Sequence, residues 1–193
     1  MRSITPFAVV GILAVASACG GPSTGPSGGM GSLTVMLRDS PYSDAQSLLV
    51  TFSEVSVHRS DQANDAWTRL AFADGATART CDLKKLQTAQ DVLGAGPLAA
   101  GHYTQIRLVV SSGSLFFDNA ATGNACAAAI PAPSGRSAVL EIPSGEVKLN
   151  REFDVDATST TTILLDFNGD QSVHATGNGR FLMTPVIGIV SVQ

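Results

Sequence analysis

Apolar and polar residues alternate through most of the chain after residue 32. A residue that repeats every second position can be kept on one buried side only in an extended strand. Leu33, Val35 and Leu37 alternate with Thr34, Met36 and Arg38 before Asp39-Ser40-Pro41 makes a turn. Leu48, Val50 and Phe52 repeat the pattern, which resumes out of phase at Val55 and Val57 after Ser53-Glu54. A slipped phase inside one strand predicts a bulge or bend. Further strands are expected at 67–71, 102–110, 115–118, 137–142, 152–156, 160–167 and 181–192. Short strands bounded by Gly, Pro, Asn and Asp predict an all-β fold with two antiparallel sheets packed as a sandwich, immunoglobulin-like or transthyretin-like.

One stretch departs from this period. Over residues 82–93, Leu83, Leu86 and Gln90 or Leu93 fall at helical spacing, which predicts one short helix ended by Gly94-Ala95-Gly96-Pro97. Residues 119–136 read as a surface loop pinned by Cys126.

The other end of the chain has a different character. Arg2 precedes an apolar run from Phe7 that closes on Ala16-Ser17-Ala18-Cys19 and is broken by Gly20-Gly21-Pro22. A membrane-spanning helix needs roughly 20 apolar residues, so the run is too short to span and reads as a secretion signal. Its end resembles the lipobox of bacterial lipoproteins, in which a diacylglyceryl group is attached to the cysteine and the chain is cut before it. The same small residues also satisfy an ordinary cleaved signal. The expected organisation is a signal peptide over 1–18, a lipidated Cys19 with a Gly/Ser/Pro tether over 19–32, and one β-sandwich domain over 33–193. The tether composition gives a flexible span of roughly 20 Å, which keeps the domain near its own membrane.

Cysteine usage follows from that address. With Cys19 assigned to the lipid, Cys81 and Cys126 remain, and in an oxidising compartment they form a disulfide by default. Net charge is −4, and the 12 basic residues are scattered apart from Lys84-Lys85, a pattern that argues against nucleic acid as a partner.

Several segments carry a family likeness. Residues 31–41, 51–58, 98–109, 164–167 and 177–187 occur in an order that resembles the domain-of-unknown-function family 4382, found in many bacterial surface or periplasmic lipoproteins. Gly101, Tyr103 to Arg107 and Pro185-Val186-Ile187 are the most specific part. The resemblance implies an extracytoplasmic β-sandwich and brings no agreed activity.

Candidate chemistry is sparse. Asp166, Asn168 and Asp170 place oxygen-bearing side chains at alternate positions, as a calcium loop does, and Asp39 could join them from another loop. Gln171 and Gly177 stand where an EF-hand needs its Gly and its bidentate Glu, so a strand-ending turn at Asn168-Gly169 is the favoured reading. His58, His102 and His174 are isolated, with no HExxH. Glu152, Asp154 and Asp156 share one face of a strand by their spacing. Neither a GxSxG elbow nor a Walker-type loop is present. Trp67 alternates with polar residues and reads as a core tryptophan.

The chain is therefore expected to be non-enzymatic, with no cofactor and no metal. It is a lipid-anchored binding or structural module of the cell envelope, at the outer membrane if the organism has one. Its partners are the membrane, through the lipid, and an envelope protein or glycan. The alternative is a carbohydrate- or calcium-binding module that uses loops 39–47 and 166–179.

Overall fold

A computed structural model describes residues 28–40 and 42–193. The signal segment, Cys19 and the first part of the tether lie outside the described residues. The alternating segments form strands β1 (Met30–Ser40), β2 (Ser47–Arg59), β3 (Trp67–Arg69), β4 (Arg79–Asp82), β5 (Asp91–Ala99), β6 (Gly101–Phe116) and β7 (Cys126–Ala127). They continue as β8 (Ser137–Glu141), β9 (Glu146–Val155), β10 (Thr160–Asn168), β11 (Val173–Gly177), β12 (Arg180–Met183) and β13 (Ile187–Val192). One helical turn, α1 (Gly169–Ser172), joins β10 to β11.

These strands make two sheets, so the all-β sandwich expected from the alternation is the observed architecture. The smaller runs β13-β10-β1-β5; the larger runs β11-β12-β8-β6-β2-β4-β7, with β3 beside β2 and β9 beside β6. Leu33, Val35 and Leu37 of β1 and Ile163, Leu165 and Phe167 of β10 are fully buried, as are Leu48, Val50, Phe52, Val55 and Val57 of β2. Phe52 meets Phe167 edge-on across the two layers, with ring centroids 6.4 Å apart. Each such aliphatic or aromatic side chain contributes about 1.5–3 kcal/mol by leaving water. The slipped phase of β2 is a register break between Thr51 and Glu54 against β6. It moves the inward row from even to odd numbers, leaving Glu54, Ser56 and His58 on the outward side.

The sheets are mixed rather than antiparallel. β1 pairs with β10 in parallel, from Ser32 opposite Thr160 to Ser40 opposite Asn168, and β8 pairs with β12 in parallel. Neither pair is joined by a tight hairpin, so the long connection between its members permits the parallel arrangement.

The short helix expected over 82–93 is a 3-10 turn at Leu83–Gln87, after which the chain is extended as β5. Leu83 and Leu86 are buried, Asp82 accepts the Lys84 N–H, and the turn ends where the i+3 spacing ends. Gly94-Ala95-Gly96-Pro97 lies inside β5 and terminates no helix. β5 is an edge strand, where Pro97 is tolerated. Gly94 packs against the Leu70 side chain and the Ala71 carbonyl, and a Cβ there would be at ordinary contact distance, 3.4 Å from that oxygen.

Two boundaries also moved. The stretches 102–110 and 115–118 are one strand, because Ser112, Gly113 and Ser114 stay in register with Thr51, Val50 and Leu49. Residues 181–192 are two strands, broken at Thr184-Pro185-Val186 where the chain crosses from the larger sheet to the smaller. Cys81 and Cys126 face each other in β4 and β7 and are joined by a disulfide, which fastens the loop over 119–136. Among the described residues, no helix is long and apolar enough to cross a membrane.

Candidate functional site

The outward side of the β3-β2-β6-β9 region carries the densest polar construction. Its base is Glu54, 6 % exposed, whose carboxylate accepts the Ser56 hydroxyl at 2.7 Å and Arg107 Nε at 3.1 Å and also pairs with Arg69. Burial pushes this carboxyl up. The hydrogen bonds from Ser56 and Arg107 and the charges of Arg107 and Arg69 outweigh it and hold Glu54 below the usual carboxylate range. Register brings Trp67 beside His58 and Arg107 beside Lys148. The Arg107 guanidinium lies 4.4 Å from the Trp67 ring centroid and the Lys148 ammonium 5.8 Å from it. Trp67 is consequently half-buried in the outer layer and not part of the core, because cations rather than aliphatic side chains cover its ring.

Beside this layer a cleft of about 380 Å³ opens between Trp67 and the end of β5, lined also by Met30, Arg59, Gln62, Pro97 and Tyr103. Tyr103 is buried, stacked on Phe153 at 5.4 Å, and donates its hydroxyl to the Ala99 carbonyl at 2.8 Å. Gly101 has φ +151°, and a Cβ there would meet Arg59 Nε at 2.9 Å, so only glycine gives Arg59 its place at the rim. The cleft adjoins Met30, the first residue of β1.

The calcium-loop candidates lie at another end of the smaller sheet, and strand parity divides them. Asp39 follows Leu33, Val35 and Leu37 on the inward row, opposite Phe167. Asp166 and Asn168 belong to the opposite face, where Asp166 accepts Arg38 Nε and the Ser40 hydroxyl, each at 2.9 Å. Asn168 caps α1 by accepting the Gln171 N–H at 2.9 Å, so the expected Asn168-Gly169 turn is a helix start. Asp170 accepts the Ser43 N–H at 3.3 Å. Asp39 is 5 % exposed, and neither carboxylate oxygen has a donor at hydrogen-bond geometry among the described residues. Burial, opposed by the nearby Gly169 amide and reinforced by the charge of Asp166, pushes its carboxyl up to about 8. The Lys84 ammonium, which donates to the Tyr42 carbonyl at 2.6 Å, already brings a positive charge to this end. Among the described residues, no three His, Cys, Asp or Glu side chains are grouped to hold a metal ion.

The histidines do not converge. His58 is buried, with Nε2 on the Ala63 carbonyl at 3.0 Å and Nδ1 on the Thr104 hydroxyl at 3.3 Å; the carbonyl fixes the proton on Nε2. His102 pairs with Asp154 on the surface at 2.8 Å, and His174 lies in strand β11. Glu152, Asp154 and Asp156 are all exposed, as their spacing implied.

The segment Gly101 to Arg107 thus supplies the glycine behind Arg59, the tyrosine of the cleft wall and the cation over Trp67. The family described as a domain of unknown function, DUF4382, matches residues 30–185. The chain belongs to the DUF4382 family. No curated protein and no solved structure matches it. The matched span of this DUF4382 domain opens with β1 and closes at Pro185, where the chain changes sheets. The sequence alone pointed to Gly101, Tyr103 and Arg107 as a distinctive stretch. It gave no sign of Arg59 or Lys148, which reach the site only through cross-strand register. The outward phase of Glu54 after the β2 bulge was the signal available.

Proposed function

We propose that this DUF4382 protein is a lipid-anchored module of the cell envelope that binds a partner without catalysing a reaction. The observation that carries the reading is the Cys81–Cys126 disulfide, which uses both cysteines of the domain and belongs with an oxidising compartment. Cys19, the remaining cysteine of the sequence, then stands at the end of the secretion signal as the lipid acceptor, with the tether leading to the domain. The site chemistry agrees with a binding role. Glu54, Arg69 and Arg107 are spent on one another as struts beneath Trp67, and the strongly shifted Asp39 lies under the surface instead of in the cleft.

Membrane fractionation of the full-length protein and of Cys19→Ala tests the reading. The wild type is expected in the membrane fraction, released by detergent and not by high salt, and the variant in the soluble extracytoplasmic fraction. Soluble behaviour of both forms would overturn it.

A further inference from the structure

The larger sheet has a second concave surface, far from Trp67 in the strand order. β12 lies parallel to β8 with Phe181 opposite Leu140, so Phe181 falls on the sheet face that is buried at Leu140. There its ring meets Phe117 with centroids 5.7 Å apart and planes tilted by 38°. Both rings remain partly exposed, in an open groove of about 470 Å³ whose other walls are Arg136, Ser137, Ala138 and Gly179. That volume lies in the range of small-molecule sites.

Arg136, the charged wall of the groove, is held in place by Asp118 beside it. Asp118 accepts the Arg136 N–H at 2.7 Å through one oxygen, and Arg136 Nε at 3.0 Å and Nη2 at 2.9 Å through the other. The Arg136 amide, then its side chain, holds Asp118 below the usual carboxylate range, so the acceptor is charged at neutral pH. The same guanidinium stands 5.8 Å from the Phe117 ring centroid. The pair is electrically neutral, and the Arg136 side chain is 78 % exposed.

We infer that this groove is a binding subsite for a neutral saccharide, with the C–H face of one pyranose ring on Phe117 and Phe181 and its hydroxyls shared between Asp118 and Arg136. The ligand class follows from the chemistry of the rim. A phosphate or sulfate would meet the Asp118 carboxylate, and a cation would meet Arg136. An apolar segment would desolvate the ion pair and leave its donors and acceptors unanswered. A sugar presents an apolar face and a dense edge of donors and acceptors in one small neutral object, which matches aromatic rings beside a carboxylate–guanidinium pair. This inference rests on the binding-module reading and gives that module a ligand.

The test is calorimetric and NMR titration of the mature protein with glucose, galactose, mannose, N-acetylglucosamine and cellobiose. At least one is expected to bind in the millimolar range, with shift changes centred on Ala138 and Phe181. Phe181→Ala and Asp118→Asn are each expected to weaken it by about tenfold, the loss of one stacking or charged contact. Asp118 is at the surface, so its variant keeps the test valid if Phe181→Ala fails to fold. Val139→Ser, on an exposed position of β8, is expected to bind as wild type. Absence of binding to all five by the folded wild type, or binding indifferent to both groove variants, would overturn the inference. Membrane recovery does not depend on this groove, so failure here is distinguishable from failure of the anchored-module reading.

Discussion

The guanidinium of Arg107 lies 4.4 Å from the Trp67 ring centroid while the same side chain bonds the buried carboxylate of Glu54. One residue therefore fixes the aromatic wall of the cleft and neutralises the acid beneath it. The spacing that produces this is a cross-strand one: Arg107 stands opposite Ser56, two residues from Glu54, after the bulge in β2 has turned Glu54 outward.

Removing that residue should be costly. In Arg107→Ala, Glu54 stays buried with Arg69 and Ser56 as its remaining partners, and an undercompensated buried charge costs about 3 kcal/mol. Urea unfolding should show a loss of that order. Trp67 is the single tryptophan of the chain, so its emission reports the site directly and should shift as the covering cation disappears. A change below about 0.5 kcal/mol with unaltered emission, the level of an ordinary surface substitution, would contradict the arrangement.

Asp39 makes stability depend on pH with a defined sign. Its folded value, about 8, lies above the ordinary 3.8, so the folded state holds a proton that the unfolded state has released across that interval. The stabilising contribution is complete below 3.8 and is lost as pH rises through about 8. Between pH 5 and pH 8 the wild type should lose about 4 kcal/mol from this group, at 1.36 kcal/mol per pH unit. Asp39→Asn should flatten that dependence and be the more stable form at pH 8.5, as read from denaturation midpoints across the range. Parallel pH profiles for the two proteins would refute the assignment.

The Cys81–Cys126 bond closes a separation of 45 residues. In the chain-entropy account such a crosslink contributes about 4 kcal/mol by restricting the unfolded chain. Cys81→Ser with Cys126→Ser should lower stability by that order, and reduction of the wild type should reproduce the loss. Full retention of stability in the double variant would contradict the role of the bond.

Gly101 ties the most distinctive stretch of the sequence to geometry. Gly101→Ala must place a Cβ at φ +151° and 2.9 Å from Arg59 Nε. A cost of about 1–3 kcal/mol is expected, with Arg59 displaced from the cleft rim. Thermal unfolding at wild-type temperature would count against it.

The period-two pattern made the core legible: Leu33, Val35 and Leu37, and Leu48 through Val57 with its slip, face inward as their alternation requires. The same pattern misled where residues do two jobs. Leu83 and Leu86 have helical spacing because a 3-10 turn also repeats at three, and Gly94-Ala95-Gly96-Pro97 looks like a helix stop although it lies inside an edge strand. Parity could have divided the calcium candidates in advance, since Asp39 shares the phase of Leu37 and Asp166 pairs with Arg38. Trp67 was misread because alternation tells inward from outward only once the sheet is known, and its partners Arg107 and Lys148 come from strands far along the chain. Parallel pairing of β1 with β10 left no mark in either segment.

The anchored-module account stands most directly on Cys19. Intact-mass and N-terminal peptide analysis of the protein purified from membranes should find a chain beginning at Cys19 and carrying a diacylglyceryl group on its sulfur. A mature chain that retains residues 1–18, or that begins at Cys19 with an unmodified thiol, would contradict it.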